Sequence, residues 1–195
     1  MLTQHLPLLP RERESVTKTI SSFTLIELLI VVAIIGILAA LITVSVNTAL
    51  TNAKIARVKQ DLQTFTNAVQ VAESNTGEVL GQITGDYCSG CALGTGWNGT
   101  TSIDGLPDSN SGVQQWYADL QKIQTACNGD CNNIITMKRD PWDGPYVLDE
   151  NELENSPTNC THDSIKSAGP DGMLENDGDD IGIDLPFASG TCTSG

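Results

Sequence analysis

The segment that decides the fold is FTLIELLIVVAIIGILAALITVSV, residues 23–46 of a 195-residue chain. It contains one charged residue, Glu27, in 24 positions. At a helical rise of about 1.5 Å per residue, the segment reaches roughly 36 Å, more than the bilayer hydrocarbon core of about 30 Å. We therefore predict a transmembrane helix over residues 23–46. The polar residues 1–22, which carry Pro7 and Pro10, form a leader before it.

The helical pattern continues beyond this apolar run. No proline occurs between Pro10 and Pro107, so one helix is free to extend from residue 23 onward. Apolar residues recur at steps of three and four residues, which is typical of one helix face; they are Ile55, Val58, Leu62, Phe65, Val69 and Ala72. Gly77 suits the left-handed residue after the last turn. We predict an amphipathic second half over residues 47–76, packed on a sheet from the C-terminal half.

The two ends of the chain differ sharply in charge. Three basic and two acidic residues precede position 23, whereas seven basic and 22 acidic residues occur from there onward. Basic residues on the N-terminal flank place that end in the cytoplasm. Residues 47–195 are then an extracytoplasmic head, whose acidic surface repels nucleic acid and favours cations.

The rest of the head predicts a small α+β domain. Residues 78–139 are a variable region, mostly loop, with a short helix over 113–126. Short strands are predicted at 134–137, 145–149 and 164–168, and the tail 169–184 is dominated by glycine and aspartate. The predicted fold is a long N-terminal helix packed on a small antiparallel sheet within residues 140–195.

One N-terminal string indicates more about function than its hydropathy does. A carboxylate four residues inside an apolar span costs about 2.5–3.5 kcal/mol on insertion, so it is usually retained for a partner or function. Residues 22–36, SFTLIELLIVVAIIG, resemble the N-terminus of type IV pilins and type II secretion pseudopilins. The resemblance implies that a prepilin peptidase cleaves between Ser22 and Phe23 and methylates the new amine. It also implies that Glu27 pairs with the Phe23 amine of a neighbouring subunit.

A second string, DPWDGPY at residues 140–146, predicts a turn before a strand, because proline and glycine favour turns. It resembles the Asp-Pro-Trp-Gly-X-Pro-Tyr segment of the major pseudopilin of type II secretion. Asp143 and Gly144 occupy the two middle positions in the reverse order.

Four closely spaced acids follow in the tail: Asp171, Asp177, Asp179 and Asp180. Crowded carboxylates need either solvent or a bridging cation, and Ca²⁺ takes six to eight oxygen ligands that Gly-rich loops readily supply. A solvated acidic loop is the alternative that composition alone favours. The segment resembles the C-terminal calcium loop of the major pseudopilin, which implies Ca²⁺ as a cofactor bound by these residues.

Six cysteines occur after the apolar run, which suggests disulfides in an oxidising compartment; they are Cys88, Cys91, Cys127, Cys131, Cys160 and Cys192. We favour a Cys160–Cys192 bond closing the acidic-loop region, whereas the other four pair locally or across the two loops. A zinc site on those four, and a redox role for Cys88 and Cys91, are the alternatives.

The leading functional hypothesis is a non-enzymatic subunit of a helical filament, as the major pseudopilin of a type II secretion system. The alternatives are a type IV pilus pilin, for adhesion, motility or DNA uptake, and a membrane-anchored redox or metal-binding protein that does not polymerise. The resemblance implies these partners: copies of the chain, the inner membrane, prepilin peptidase, an assembly platform and minor pilins. It places the chain in the inner membrane with a periplasmic head, then in a periplasmic pseudopilus or an extracellular pilus.

Overall fold

A computed structural model describes residues 23–85, 88–93, 101–156, 158, 160–174, 178–188 and 192, without the side chains of residues 41–45 and 89. The chain divides into two compact units, Met1–Ser45 and Val46–Gly195. The helices are α1 (Leu25–Thr76), α2 (Leu80–Thr84) and α3 (Ser111–Ala126), and the strands are β1 (Val147–Asp149), β2 (Ser164–Ser167) and β3 (Ile181–Asp184). Short 3₁₀ turns occur at Ser89–Leu93 and Gly169–Asp171.

The described part of the first unit is the N-terminal half of α1. Every leucine, isoleucine, valine and phenylalanine between positions 23 and 38 is at least 46% exposed. Such a continuous apolar surface on a helix marks a face that contacts another molecule or a membrane. Among the described residues, no helix combines the length and the apolar character needed to cross a membrane. The predicted boundaries of leader, apolar helix and head remain predictions.

In the second unit, the strands form one antiparallel sheet in the order β1-β2-β3. Leu148 pairs with Ile165 and Ile165 pairs with Ile183, so one row of apolar residues crosses all three strands. Leu148 and Ile165 belong to the same core cluster as Phe65 of α1. The predicted α+β fold, with a long N-terminal helix packed on a small antiparallel sheet, is confirmed.

The predicted stripe on α1 is buried as expected, except that Ile55 is only half-buried. Its partner is larger than predicted, because α3 covers the stripe together with the sheet. Trp116 of α3 lies between Phe65 and Tyr146, with ring centroids 5.6 Å and 5.9 Å away. Aromatic pairs at these separations add to the free energy gained from apolar burial. The domain core is thus a helix–helix–sheet cluster.

The strand predicted at residues 134–137 is wrong, because these residues form a turn. The N–H of Met137 donates to the carbonyl oxygen of Ile134 at 2.9 Å. The indole N–H of Trp116 donates to the Met137 carbonyl at 3.1 Å, and the side-chain oxygen of Gln124 accepts the N–H of Ile134 at 2.8 Å. These side chains supply the hydrogen bonds that a neighbouring strand would otherwise make.

Two predicted loops contain regular structure. Helix α2 lies within the region expected to be loop, and its residue Leu80 is fully buried. Strand β3 lies within the Gly- and Asp-rich tail. The short helix predicted over 113–126 is confirmed as α3, which begins two residues earlier because Asn110 caps it. The Asn110 side chain accepts hydrogen bonds from the N–H groups of Gly112 and Val113.

Candidate assembly and cation-binding sites

The start of α1 carries the predicted processing and assembly residues. Ser22 lies outside the described residues, and Phe23 is 77% exposed. The hydroxyl oxygen of Thr24 accepts the N–H of Glu27 at 3.3 Å, and Glu27 Oε2 accepts the N–H of Thr24 at 2.8 Å. This reciprocal pair is a capping box, with Thr24 at the N-cap and Glu27 three positions later. An acid at this position also interacts favourably with the positive end of the helix dipole.

The capping box occupies only part of the Glu27 carboxylate. Oε2 accepts both donors of Thr24, because the hydroxyl also donates to it at 2.6 Å. No described contact uses Oε1, and the residue is exposed. Oε2 therefore fixes the side chain on its own helix, and Oε1 takes no part in the capping box. Thr24 was not among the predicted site residues, although the Thr-x-x-Glu spacing before an apolar run signals a capping box.

The structure places three of the four predicted calcium ligands around the 3₁₀ turn and the start of β3. Asp171 ends the 3₁₀ turn and is exposed, and its Oδ1 accepts the N–H of Met173 at 2.8 Å. Asp179 and Asp180 lie directly before β3 and are half-buried. Asp177 lies outside the described residues.

Gly169 lets these two segments meet. Its φ is +69°, and a Cβ on it would lie 2.3 Å from the backbone carbonyl oxygen of Asp179. Only glycine combines this left-handed conformation with so close an approach. The Asp179 carbonyl is therefore held against the turn that ends at Asp171.

The donors at this junction suit a hard cation. Oδ1 of Asp179 and both carboxylate oxygens of Asp180 are withdrawn from solvent. Removing a carboxylate from water costs several kcal/mol, so such groups are compensated by hydrogen bonds or by a cation. Carboxylate and carbonyl oxygens are the ligands that Ca²⁺ prefers, and a glycine-rich loop tolerates its irregular coordination. The described residues thus fit Ca²⁺, which would join the 3₁₀ turn to the start of β3.

A further acid lies beside this loop, Asp104, which was not among the predicted site residues. A Cβ on Gly172 would lie 2.6 Å from Asp104 Oδ2, and a Cβ on Gly144 would lie 2.8 Å from its Oδ1. Burial raises the pKa of Asp104 to about 6, with further contributions from the charges of Asp140, Asp143 and Asp171. Nothing local in the sequence signals this contact, since Asp104 belongs to the variable region.

Asp140 organises the predicted turn before β1. Its Oδ1 accepts the N–H groups of Trp142 at 2.9 Å and Gly144 at 3.0 Å, and its Oδ2 accepts the hydroxyl of Ser167 on β2 at 2.5 Å. Burial raises the pKa of Asp140, and these three hydrogen bonds oppose the rise. The turn is therefore structural, and it ties the start of β1 to β2.

All six cysteines form disulfides, in the pairs Cys88–Cys91, Cys127–Cys131 and Cys160–Cys192. The favoured long-range pair is present, and the other four cysteines pair locally. Because a disulfide sulfur is no thiolate, these four do not make the alternative zinc site in this state.

His162 is a packing residue in the loop before β2. Its ring stacks on Phe187 with centroids 3.8 Å apart, and its Nδ1 lies 2.7 Å from the carbonyl oxygen of Leu185. These contacts hold the chain that follows β3 against the loop before β2.

A family model for the prokaryotic N-terminal methylation motif matches residues 18–43. No curated protein and no solved structure matches the chain. The matched residues contain the predicted cleavage position, Glu27 and most of the apolar helix. The match is consistent with the prepilins of the type IV pilin-like family.

Proposed function

We propose that this type IV pilin-like chain is a structural subunit of a helical filament, most specifically the major pseudopilin of a type II secretion system. The methylation motif at residues 18–43 supports the filament class, because that family is processed by prepilin peptidase and assembles through its N-terminal helices. The observation that carries the proposal is the contrast between an exposed apolar helix and a closed head core.

The exposed half of α1 supplies the assembly surface. Its apolar side chains contact lipid before assembly and the apolar helices of neighbouring subunits afterwards. Head-to-tail stacking of such helices generates an open helical filament. Glu27 would register adjacent subunits, since its Oε1 takes no part in the capping contact with Thr24 and the cleaved Phe23 would carry a cationic amine.

The acidic loop of the head is the feature that favours the secretion assignment within this class. The 3₁₀ turn Gly169–Asp171 and the acids before β3 offer oxygen ligands of the kind expected in the major pseudopilin. In this proposal Ca²⁺ rigidifies the loop that closes the sheet edge of the head.

A surface pilus pilin is the second candidate, favoured by one observation. The Cys160–Cys192 disulfide closes a C-terminal loop, which is the usual arrangement in type IV pilins. The genes beside this one discriminate between the two: an outer-membrane secretin and minor pseudopilins support secretion, whereas a retraction ATPase and adhesion genes support a pilus.

The filament proposal is tested by processing and assembly together. Intact mass of the membrane-extracted protein should show loss of residues 1–22 and addition of one methyl group. Glu27→Ala should insert and keep a stable head but form no filaments by electron microscopy, whereas the exposed-acid control Glu78→Ala assembles normally. An uncleaved chain, or normal filaments from Glu27→Ala, contradicts the proposal.

A further inference from the structure

Three acids from distant parts of the head meet in its interior. Glu73 lies in the last turn of α1, Glu152 in the turn after β1, and Asp163 directly before β2. Their exposed fractions are 7%, 1% and 3%. One carboxylate oxygen from each lies within 4.8 Å of the others. No predicted calcium ligand and no assembly residue belongs to this buried triad.

Glu73 shows that the triad is incomplete. The backbone N–H of Leu80 donates to its carboxylate, yet Oε1 is buried and accepts no hydrogen bond from any described residue. A buried acceptor without a donor costs about 1–3 kcal/mol, and more when it is charged. An acid is also unfavourable in the last turn of a helix, where the dipole is negative, and the last turn of α1 has no basic residue.

The backbone holds the other two acids in place. Asp163 Oδ1 accepts the N–H groups of Asn151 at 2.6 Å and Glu152 at 2.7 Å. Glu152 Oε2 accepts the N–H of Ala188 at 2.9 Å. These contacts fix the carboxylates before any ligand arrives, as in preorganised binding sites.

The charges that act most strongly on Glu73 and Asp163 are all negative. Burial, then the charges of Asp163 and Glu152, raise the pKa of Glu73 to about 8. Burial also raises the pKa of Asp163 to about 6, with contributions from Glu152 and Asp149. Neither Glu73 nor Asp163 forms an ion pair with a lysine or arginine in the described part of the chain. A proton on Glu73 or a bound cation would each relieve the repulsion.

We infer that Glu73, Glu152 and Asp163 bind one divalent cation of the calcium class, at a site separate from the acidic loop. Calcium holds its ligand oxygens at about 2.3–2.6 Å, so two oxygens on one ion are at most about 5 Å apart. The three oxygens meet this limit. A bound cation would also compensate the buried Glu73 carboxylate, whose Oε1 has no hydrogen-bond donor among the described residues. The ion joins the end of α1 to the β1–β2 connection and, through Glu152, to the chain after β3.

This cation site does not depend on the filament proposal. It is tested by measuring how many calcium ions each chain binds. Purified full chain in detergent is dialysed against CaCl₂, and bound calcium per chain is measured. The loop variant Asp171→Asn/Asp180→Asn should retain one ion per chain, because the triad is intact. Adding Glu73→Gln should raise the dissociation constant of that ion about tenfold or more, because calcium affinity depends on the number of charged ligands. Glu78→Gln, a nearby exposed acid, should change it little.

Several outcomes overturn the inference. A loop variant that binds no calcium removes the triad site, and this measurement needs no change at the triad itself. Equal calcium affinity with and without Glu73→Gln does the same, because glutamine mimics a protonated Glu73. If Glu78→Gln lowered the calcium affinity as much as Glu73→Gln, the effect would come from net charge and not from a ligand. Glu152→Gln provides a second triad variant if Glu73→Gln does not fold.

Discussion

The two halves of α1 differ in how their apolar side chains are exposed. Between positions 23 and 38, every large aliphatic side chain is exposed, whereas Val58, Leu62, Phe65 and Val69 in the second half are at most 1% exposed. The first half is apolar on all sides, and the second confines its apolar residues to one stripe. A helix with an all-round apolar surface requires partners outside the chain, whereas a stripe is satisfied by one domain. One helix thus combines an assembly surface with a domain core.

The largest loss of head stability is expected from a substitution in the buried stripe of α1. Phe65→Ala should lower the free energy of unfolding of the head by about 3–5 kcal/mol, because a fully buried aromatic leaves a cavity. Leu29→Ala removes a large apolar side chain that is 59% exposed, so it should change head stability little. Both are measured by denaturant unfolding of the full chain in detergent, followed by intrinsic tryptophan fluorescence. A similar loss for Leu29→Ala would mean that the first half also stabilises the head.

The division between these halves was predictable because its cause is local. Steps of three and four residues identify one helix face, so Val58 to Ala72 could be assigned from sequence. The turn at 134–137 was not predictable, because its hydrogen bonds come from Trp116 and Gln124. Strand β3 was missed because its two isoleucines alternate within a Gly- and Asp-rich tail.

The candidate site residues were also predictable only where their signal is local in the sequence. Glu27 was identified from its position in an apolar run, and its capping partner Thr24 also has a local signal. Asp104 beside Gly172, and Glu73 beside Asp163, come together only through the tertiary fold. Sequence spacing carries no information on such contacts.

A second test asks whether calcium stabilises the head when the apolar half of α1 is removed. If Ca²⁺ binds only the folded head, stability rises by RT ln(1 + [L]/Kd), about 2.7 kcal/mol at a hundredfold excess over Kd. Mg²⁺ should substitute poorly, since it requires a tighter octahedral shell. Thermal unfolding of a fragment starting at Val46 is compared in chelator, calcium and magnesium. A midpoint indifferent to calcium, or Asp180→Ala with the full calcium response of the parent, would leave the acidic loop merely solvated.

A third test concerns a polar contact between the residue before β1 and the second half of α1. The buried Tyr146 donates its hydroxyl to Asp61 Oδ2 at 2.8 Å. Tyr146→Phe should cost about 1.5 kcal/mol, the low end for a hydrogen bond to a charged group, because Asp61 keeps Arg57 at 3.6 Å. Tyr117→Phe is the matched control, since its bond to Asp108 is exposed. Equal losses in the two variants would mean that burial does not set the strength of this contact.

The smallest effect comes from one substitution made in both halves of α1. In the described part of the chain, no atom beyond the local backbone lies within 4 Å of the methyl position of an alanine at Gly36 or Gly77, so sterics do not separate the two changes. Gly77 has φ +74°, and its N–H donates to the Glu73 carbonyl at 2.7 Å to end the helix. Alanine in this left-handed conformation costs about 1 kcal/mol, whereas in a helix interior alanine is favoured over glycine by about 0.5–1 kcal/mol.

Gly77→Ala should therefore lower the unfolding free energy of the head, and Gly36→Ala should not. Gly77→Asn should lose less than Gly77→Ala, because asparagine tolerates the left-handed conformation. Denaturant unfolding of the full chain in detergent measures all three variants. If Gly36→Ala destabilised the head as much as Gly77→Ala, the two halves of α1 would unfold as one unit. If only Gly77→Ala does so, head stability is determined by the half of the helix that carries the buried stripe, and the apolar half remains free to serve assembly.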